Sequence, residues 1–355
     1  MSVSDPRRGG ATGGANPLGV QRAGARVNLT LMSDDRTEEV DVELEEINRH
    51  SKLIFILGYH RSGTTILYNM LLAAGPFCHP SPYHLAHFEG YLADEQFDQE
   101  RAIESTMQRF ASQGIVDRFV DHIPAGALSA EEYGFALREG RLTSSNLKRF
   151  MRFGDFVRSR AGDGQVLLLK NPRDFDNALF IHRSFPRAKF IFIHRHPGPT
   201  IDSRIRELRL LFNRRSPYQA EIEPRYGRIM DNGLLRGSIR LCLRPQGMLT
   251  RYFLHDFRRS GKRFLGNLAS MAAGAHISLT YEKLCADPEG EVGRVLEFLG
   301  LGGCDTSRVR NMILPVPRPP SSNSVLHSAR AARLLRPYLE HCGYHGLWPE
   351  GPATI

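Results

Sequence analysis

The stretch Gly58-Tyr59-His60-Arg61-Ser62-Gly63-Thr64-Thr65 sets four residues, one of them basic, between two glycines and ends in two hydroxyls. Glycines let backbone N–H groups turn towards an anion, and a helix start adds partial positive charge, so such a loop between a strand and a helix suits phosphate-like groups. The residue after the second glycine selects among them. An ATP-type loop has a lysine there to reach the β- and γ-phosphates. Here that residue is Thr64, and the cation is Arg61 inside the loop, which suits a shorter anionic tail than a magnesium triphosphate. A second anion site is carried by Arg195 and Ser203, eight residues apart. An arginine at a strand end clamps a phosphate through two parallel hydrogen bonds, and a serine on the next helix adds a hydroxyl. Lys170, in Leu169-Lys170-Asn171-Pro172, is one of only six lysines against 41 arginines, and a lysine ammonium serves as a point charge at a reacting anion. His84, His87 and Glu89 lie close together after the first helix, and each is a residue type that accepts a proton in catalysis. His194 and His196 have no further ligand cluster beside them in the sequence, so no metal site is expected.

These residues need elements to place them. Leu53–Leu57, Val166–Leu169, Lys189–Ile193 and His276–Leu279 are short apolar runs of the kind that form buried parallel strands. Helical patterns follow at Thr65–Ala74, Gln96–Gln113, Leu147–Arg160, Phe175–Ser184, from His196-Pro197 to Leu211, at Glu289–Leu299 and at Ser328–Cys342. Strands alternating with helices imply βαβ units: an α/β fold of three layers, a parallel sheet with helices on both faces. Ligands in such folds bind beyond the carboxyl ends of the strands, where Gly58–Thr65, Lys170 and Arg195 fall.

At these residues the chain resembles the sulfotransferases that use 3′-phosphoadenosine 5′-phosphosulfate (PAPS) as donor. Their first signature is a strand followed by a basic residue, Ser, Gly, Thr, Thr. Their second is an apolar strand, Arg, a helix-opening segment and Ser eight residues after the Arg. The resemblance implies a P-loop-like sulfotransferase architecture. Arg61, Ser62, Gly63, Thr64 and Thr65 would hold the 5′-phosphosulfate, and Arg195 and Ser203 the 3′-phosphate. Tyr281-Glu282-Lys283-Leu284 resembles a C-terminal segment whose tyrosine lies near the nucleotide. Lys170 matches a Lys-Asp-Pro type segment with Asn in place of Asp, and joins Arg61 as a cation at the transferred group. The family's base is commonly a Glu or His after the first helix. His84 falls nearest that place, with Glu89 and His87 as alternatives. The implied reaction moves a sulfonate from PAPS to an acceptor, a hydroxyl first of all, on a small molecule, carbohydrate or peptide.

Composition bounds the rest. The formal net charge is +9, and 41% of residues are hydrophobic, enough for a sizeable core. The basic residues are spread without long blocks or interleaved aromatics, so nucleic acid is not expected as a partner. Five scattered cysteines with no CxxC pair exclude a disulfide scaffold and a zinc ribbon. No apolar run reaches the roughly 18 residues of a membrane span, no leader pattern is seen at the N-terminus, and a cytoplasmic location is expected. Residues 1–48 are read as a flexible Gly/Arg-rich segment, 49–345 as one domain and 346–355 as a tail. Within the first, Val40, Val42 and Leu44 alternate as in a strand, while Val40, Leu44 and Ile47 share helical spacing. The stretches Phe77–Gly164 and Asn213–Asn232 are expected to shape the acceptor pocket. Two other readings stand beside this one: a P-loop kinase of a nucleotide or small molecule, and a non-catalytic protein that binds anions or nucleic acid. Nothing in the sequence assigns an oligomeric state.

Overall fold

The structure, a computed structural model, describes residues 22–23, 26–33, 36–43, 53–80, 82–93, 132–137, 139–159, 166–215, 224–243, 248–312 and 329–344. Its strands are β1 (Arg22–Ala23), β2 (Arg26–Ser33), β3 (Arg36–Glu43), β4 (Leu53–Leu57), β5 (Phe77–Cys78), β6 (Val166–Lys170), β7 (Lys189–His194) and β8 (His276–Thr280). Its α-helices are α1 (Thr64–Ala74), α2 (Pro82–Ala93), α3 (Leu147–Arg158), α4 (Ala178–Ser184), α5 (Pro197–Asn213), α6 (Pro224–Asp231), α7 (Gly233–Cys242), α8 (Met248–Leu268), α9 (Tyr281–Ala286), α10 (Pro288–Phe298) and α11 (Ala329–His341).

Successive side chains of a strand point to opposite faces, and this alternation makes the layers. Leu53, Phe55 and Leu57 of β4, Leu167 and Leu169 of β6 and Phe190 and Phe192 of β7 enter one core with side chains of α2, α3, α4, α5, α8 and α11. Ile54 and Ile56, Leu168, and Ile191 and Ile193 enter the other, against α1, α9 and α10. Both faces being covered explains why these strands read as continuous apolar runs. The sheet order is β5-β6-β4-β7-β8, every neighbouring pair parallel. The register sets Ile56 beside Lys170 and Leu57 beside Phe192. The loop after β4 therefore leaves the sheet between the ends of β6 and β7.

The expected strands and most expected helices are present, with three differences. Arg22–Ala23, Arg26–Ser33 and Arg36–Glu43, inside the stretch expected to be flexible, form a three-stranded antiparallel sheet. Val27 pairs with Val42 and Leu29 with Val40, so strand alternation prevails over the competing helical spacing. Pro172–Asn177 is a 3-10 turn ahead of α4, because Pro172 opens it and Asn171 accepts the Arg173 N–H. Third, α2, α6, α7 and the long α8 arise where no helix is expected; α8 buries Phe253, Leu254, Phe257 and Phe264, a helical spacing diluted by arginines. The expected helix Gln96–Gln113 and the C-terminal tail lie outside the described residues. Among the described residues no helix is long and apolar enough to cross a membrane.

Phe55 carries the first core. Its ring stacks on Phe190 at 5.5 Å and on Phe150 at 6.0 Å, with Tyr133 edge-on at 5.9 Å. Phe55→Ala is expected to cost about 3–5 kcal/mol, read as a shift in the urea denaturation midpoint.

Candidate active site

The loop after β4 is built by close approach. A Cβ on Gly58 would stand 2.4 Å from the Ile193 carbonyl, and one on Gly63 would stand 2.4 Å from the Tyr281 ring. Gly63 has φ 101°, and Arg61, with φ 69°, is the non-glycine residue with positive φ among those described. Left-handed backbone at a non-glycine persists where its surroundings hold it. Here Arg195 Nη1 donates to the Arg61 carbonyl at 3.1 Å, and the Arg195 guanidinium lies 4.3 Å from the centre of the Tyr281 ring. The N-terminus of α1 has no side-chain cap, so its first N–H groups are left for a ligand. The buried Ser62 hydroxyl has no hydrogen-bond partner, a costly arrangement unless an acceptor enters the loop.

The loop opens into a cavity of about 670 Å³ lined by Arg61, Gly63, Thr64, Thr65, Arg173, Arg195, Arg204, Arg225 and Tyr281 among others. Arg61 reaches over the cavity floor, its Nε donating to Ser203 Oγ at 3.3 Å and its Nη1 to Glu207 at 3.1 Å. The two expected anion sites thus adjoin, bridged by Arg61. Lys170 is 2% exposed. Its Nζ donates to Thr65 Oγ1 at 3.3 Å and lies 3.7 Å from Glu132, a cavity residue. His60 also lines the cavity. Burial, then the charges of Arg204, Arg173, Lys170 and Arg61, hold its imidazole well below the usual histidine range, so it is neutral at physiological pH.

A buried carboxylate positions Glu132. Asp174, fully buried, accepts hydrogen bonds from Tyr133 Oη (2.6 Å), the Leu142 N–H (3.2 Å), Asn171 Nδ2 (2.7 Å) and Asn177 Nδ2 (2.8 Å). Burial raises its carboxyl above the ordinary range, and the hydrogen bonds from Tyr133 and Asn177 oppose that shift. The network joins residues 133–142 to the turn that follows Lys170, and so sets Glu132 beside the ammonium.

Of the expected site residues, Arg61, Gly63, Thr64, Thr65, Arg195 and Tyr281 line one cavity, with Ser203 and Lys170 bonded to its lining residues. The proton acceptors expected after the first helix lie elsewhere. His84, Phe88 and Tyr91 occupy one face of α2 at i, i+4 and i+7, and all three rings contact Phe156 of α3, at 5.2, 6.3 and 4.4 Å. Helical spacing thus turns His84 into the packing between helices. Glu89 is exposed and ion-paired with Arg149, and His87 is not among the described lining residues. Sequence reasoning passed over Glu132, which sits in no motif, and Arg173, whose only signal is its place three residues after Lys170. His194 and His196 are taken up internally: His194 bonds Tyr338 Oη and sits at a pKa of about 3 through burial, and the His196 ring meets Tyr344 at 4.8 Å. Among the described residues no cluster of three or more His, Cys, Asp or Glu is placed to hold a metal ion.

Known proteins can be set against this geometry. A match to the sulfotransferase family spans residues 54–237, just over half of the chain, and takes in the loop, α1, Lys170, Arg195 and Ser203. The chain belongs to the sulfotransferase family. It is 23% identical over 285 residues to the omega-hydroxy-beta-dihydromenaquinone-9 sulfotransferase Stf3 of Mycobacterium bovis, and equally to that of Mycobacterium tuberculosis. Each alignment covers 73% of this chain and 66% of the relative, so the chain spans just under two thirds of the length of these relatives. The crystal structure of sulfotransferase STF9 from Mycobacterium avium superimposes with a TM-score of 0.60 at 14% identity, covering 86% of this chain and 81% of that one, which shows a shared fold. The family's donor is PAPS. The loop found here fits such an anion, with an unpartnered buried hydroxyl, an uncapped helix start and two glycines whose hydrogens leave room that a Cβ would fill.

Gly63→Ala drives a methyl into the Tyr281 ring at a positive φ. The variant is expected to stay folded and to lose the thermal shift that adenosine 3′,5′-bisphosphate gives the parent protein.

Proposed function

We propose that this protein transfers the sulfonate of PAPS to a hydroxyl on a largely apolar small-molecule acceptor, releasing adenosine 3′,5′-bisphosphate. The observation that carries the reading is the convergence of both signatures on one cavity, through the Arg195–Arg61 hydrogen bond. In this reading Arg61, Ser62, Thr64, Thr65 and the opening N–H groups of α1 hold the 5′-phosphosulfate. Arg195 and Ser203 hold the 3′-phosphate, with Tyr281 against the nucleotide. When bound, the donor supplies an electrophilic sulfur and a phosphate leaving group. The acceptor oxygen forms a bond to sulfur, the bridging S–O bond breaks, and its electron pair departs on the bisphosphate. Lys170 and Arg61 stabilise the charge gathering on the sulfonate and bridging oxygen.

Glu132 replaces His84 as the group that takes the hydroxyl proton. It lines the cavity and faces Lys170, whereas the four cations about His60 weaken that imidazole as a base. The acceptor end is walled by Phe135, Leu208, Leu211, Phe212, Tyr226 and Ile229, which draws on both stretches expected to shape it and favours an apolar body over a carbohydrate. The named acceptor of the relatives, a menaquinone derivative, supports that class. All five cysteines are free, in keeping with a cytoplasmic location, and residues 49–345 are read as the catalytic domain.

Two experiments test the reading. In thermal-shift assays adenosine 3′,5′-bisphosphate should stabilise the protein, by about 2.7 kcal/mol at about 100 times its Kd, beyond adenosine 5′-monophosphate and ATP–magnesium. Arg195→Ala should remove most of that preference, and a preference for ATP–magnesium would overturn the reading in favour of a kinase. Glu132→Gln should lower kcat by about 10²–10⁴-fold with the bisphosphate shift unchanged and partial rescue by Glu132→Asp. An undiminished kcat would pass the proton to another group of the cavity.

A further inference from the structure

Every exposed large apolar side chain among the described residues falls between residues 210 and 252: Leu210, Leu234, Leu235, Leu241 and Tyr252. They lie on α5, α7 and α8. Helix α7 stands out, because none of its ten residues is buried and Leu234 is 87% exposed. A helix this short with two glycines does not hold itself in water. Hydrogen bonds locate it: Asn232 Oδ1 caps the Leu235 N–H at 3.0 Å, and Arg240 donates to the Phe212 and Asn213 carbonyls at the end of α5, each at 2.8 Å. Those bonds set its place and leave Leu234 and Leu241, two turns apart, facing outward. A helix whose apolar side chains face solvent lacks the burial that normally supports it, and exposed leucines on such a helix mark a contact surface.

The charge around the patch selects the occupant. Residues 209–243 carry seven arginines against Glu221, Glu223 and Asp231, and Arg214, Arg228 and Arg240 are exposed outside the cavity lining. A second copy docking symmetrically would set this cationic face against itself. Exposed leucines on a segment with an excess of arginines complement anionic lipid, where apolar side chains enter the headgroup boundary and guanidinium groups meet phosphates. The face also lies on the outside of the catalytic cavity, since α5 and α6 supply Leu208, Leu211, Tyr226 and Ile229 to its wall.

We propose that the outward face of α7, carrying Leu234 and Leu241, docks on an anionic lipid bilayer beside the cavity wall built by α5 and α6. Resting on the sulfotransferase reading, this makes the acceptor a hydroxyl compound drawn from the lipid phase. The test is co-sedimentation of the whole protein with vesicles of phosphatidylcholine alone or mixed with phosphatidylglycerol in about equal parts, the anionic lipid supplying the phosphate charge. Binding is expected to the anionic vesicles, to weaken with added salt, and to fall about tenfold or more in the double variant Leu234→Asp, Leu241→Asp. Because both positions are exposed, that variant should keep its melting temperature and its bisphosphate thermal shift. The proposal fails if the parent protein stays in the supernatant with anionic vesicles, or if the double variant pellets equally well. It also fails if size exclusion shows a dimer that the variant dissolves, which would make the face an interface between copies. Vesicle binding is measured without turnover, so its outcome is independent of the thermal-shift test of the donor site.

Discussion

The glycine-loop end of the cavity depends on one contact, the Arg195 guanidinium against the Arg61 carbonyl. Arg195 follows β7 and Arg61 sits in the loop after β4, strands that pair directly in the sheet. The contact holds Arg61 in a left-handed backbone conformation, which turns the loop over the start of α1. Arg195 in turn stacks on Tyr281, whose ring occupies the space beside Gly63. Behind it, Glu282 accepts from the His196 N–H at 3.1 Å and from Tyr344 Oη at 2.6 Å. Three strand ends, those of β4, β7 and β8, are thereby tied together before any ligand arrives. Such preorganisation spares the reaction the cost of orienting donors as charge develops.

The transferring end follows the same logic with the opposite charge at its centre. Asp174 is surrounded by donors from Tyr133, Leu142, Asn171 and Asn177. A buried carboxylate is costly unless its lone pairs are satisfied, and here that requirement binds the segment carrying Glu132 to the turn after Lys170. The result sets a carboxylate and an ammonium 3.7 Å apart, next to the hydroxyl of Thr65. Positive charge predominates along the cavity, and Glu207 holds Arg61 and Arg204 in place rather than neutralising the site.

Legibility in the sequence followed the range of the interactions. The loop Gly58–Thr65 was readable because strand, turn and helix start are contiguous, and anion binding needs only local backbone. Arg195 and Ser203 were readable because their eight-residue spacing places both near one helix start. The place of His84 comes from its helix phase, which a reading of residue types alone does not use: the i, i+4, i+7 series with Phe88 and Tyr91 sets it at the α3 interface. Glu132 was passed over because its role comes from a fold-back of some forty residues onto Lys170, and no local pattern signals such a contact. The hairpin at 26–43 lay within reach, since Val27, Leu29, Val40 and Val42 alternate on both of its strands.

By itself the amino-acid sequence determined the α/β class, the positions of β4, β6, β7 and β8, and the family, because apolar runs and a contiguous anion loop are properties of neighbours along the chain. Only the tertiary structure decided which carboxylate meets the lysine, that Arg61 joins Ser203 and Arg195 at one cavity, and that a leucine-bearing helix faces outward beside the cavity. Those outcomes depend on the packing of segments distant in sequence, where burial and the satisfaction of polar groups such as Asp174 select one arrangement among many that the same residues permit.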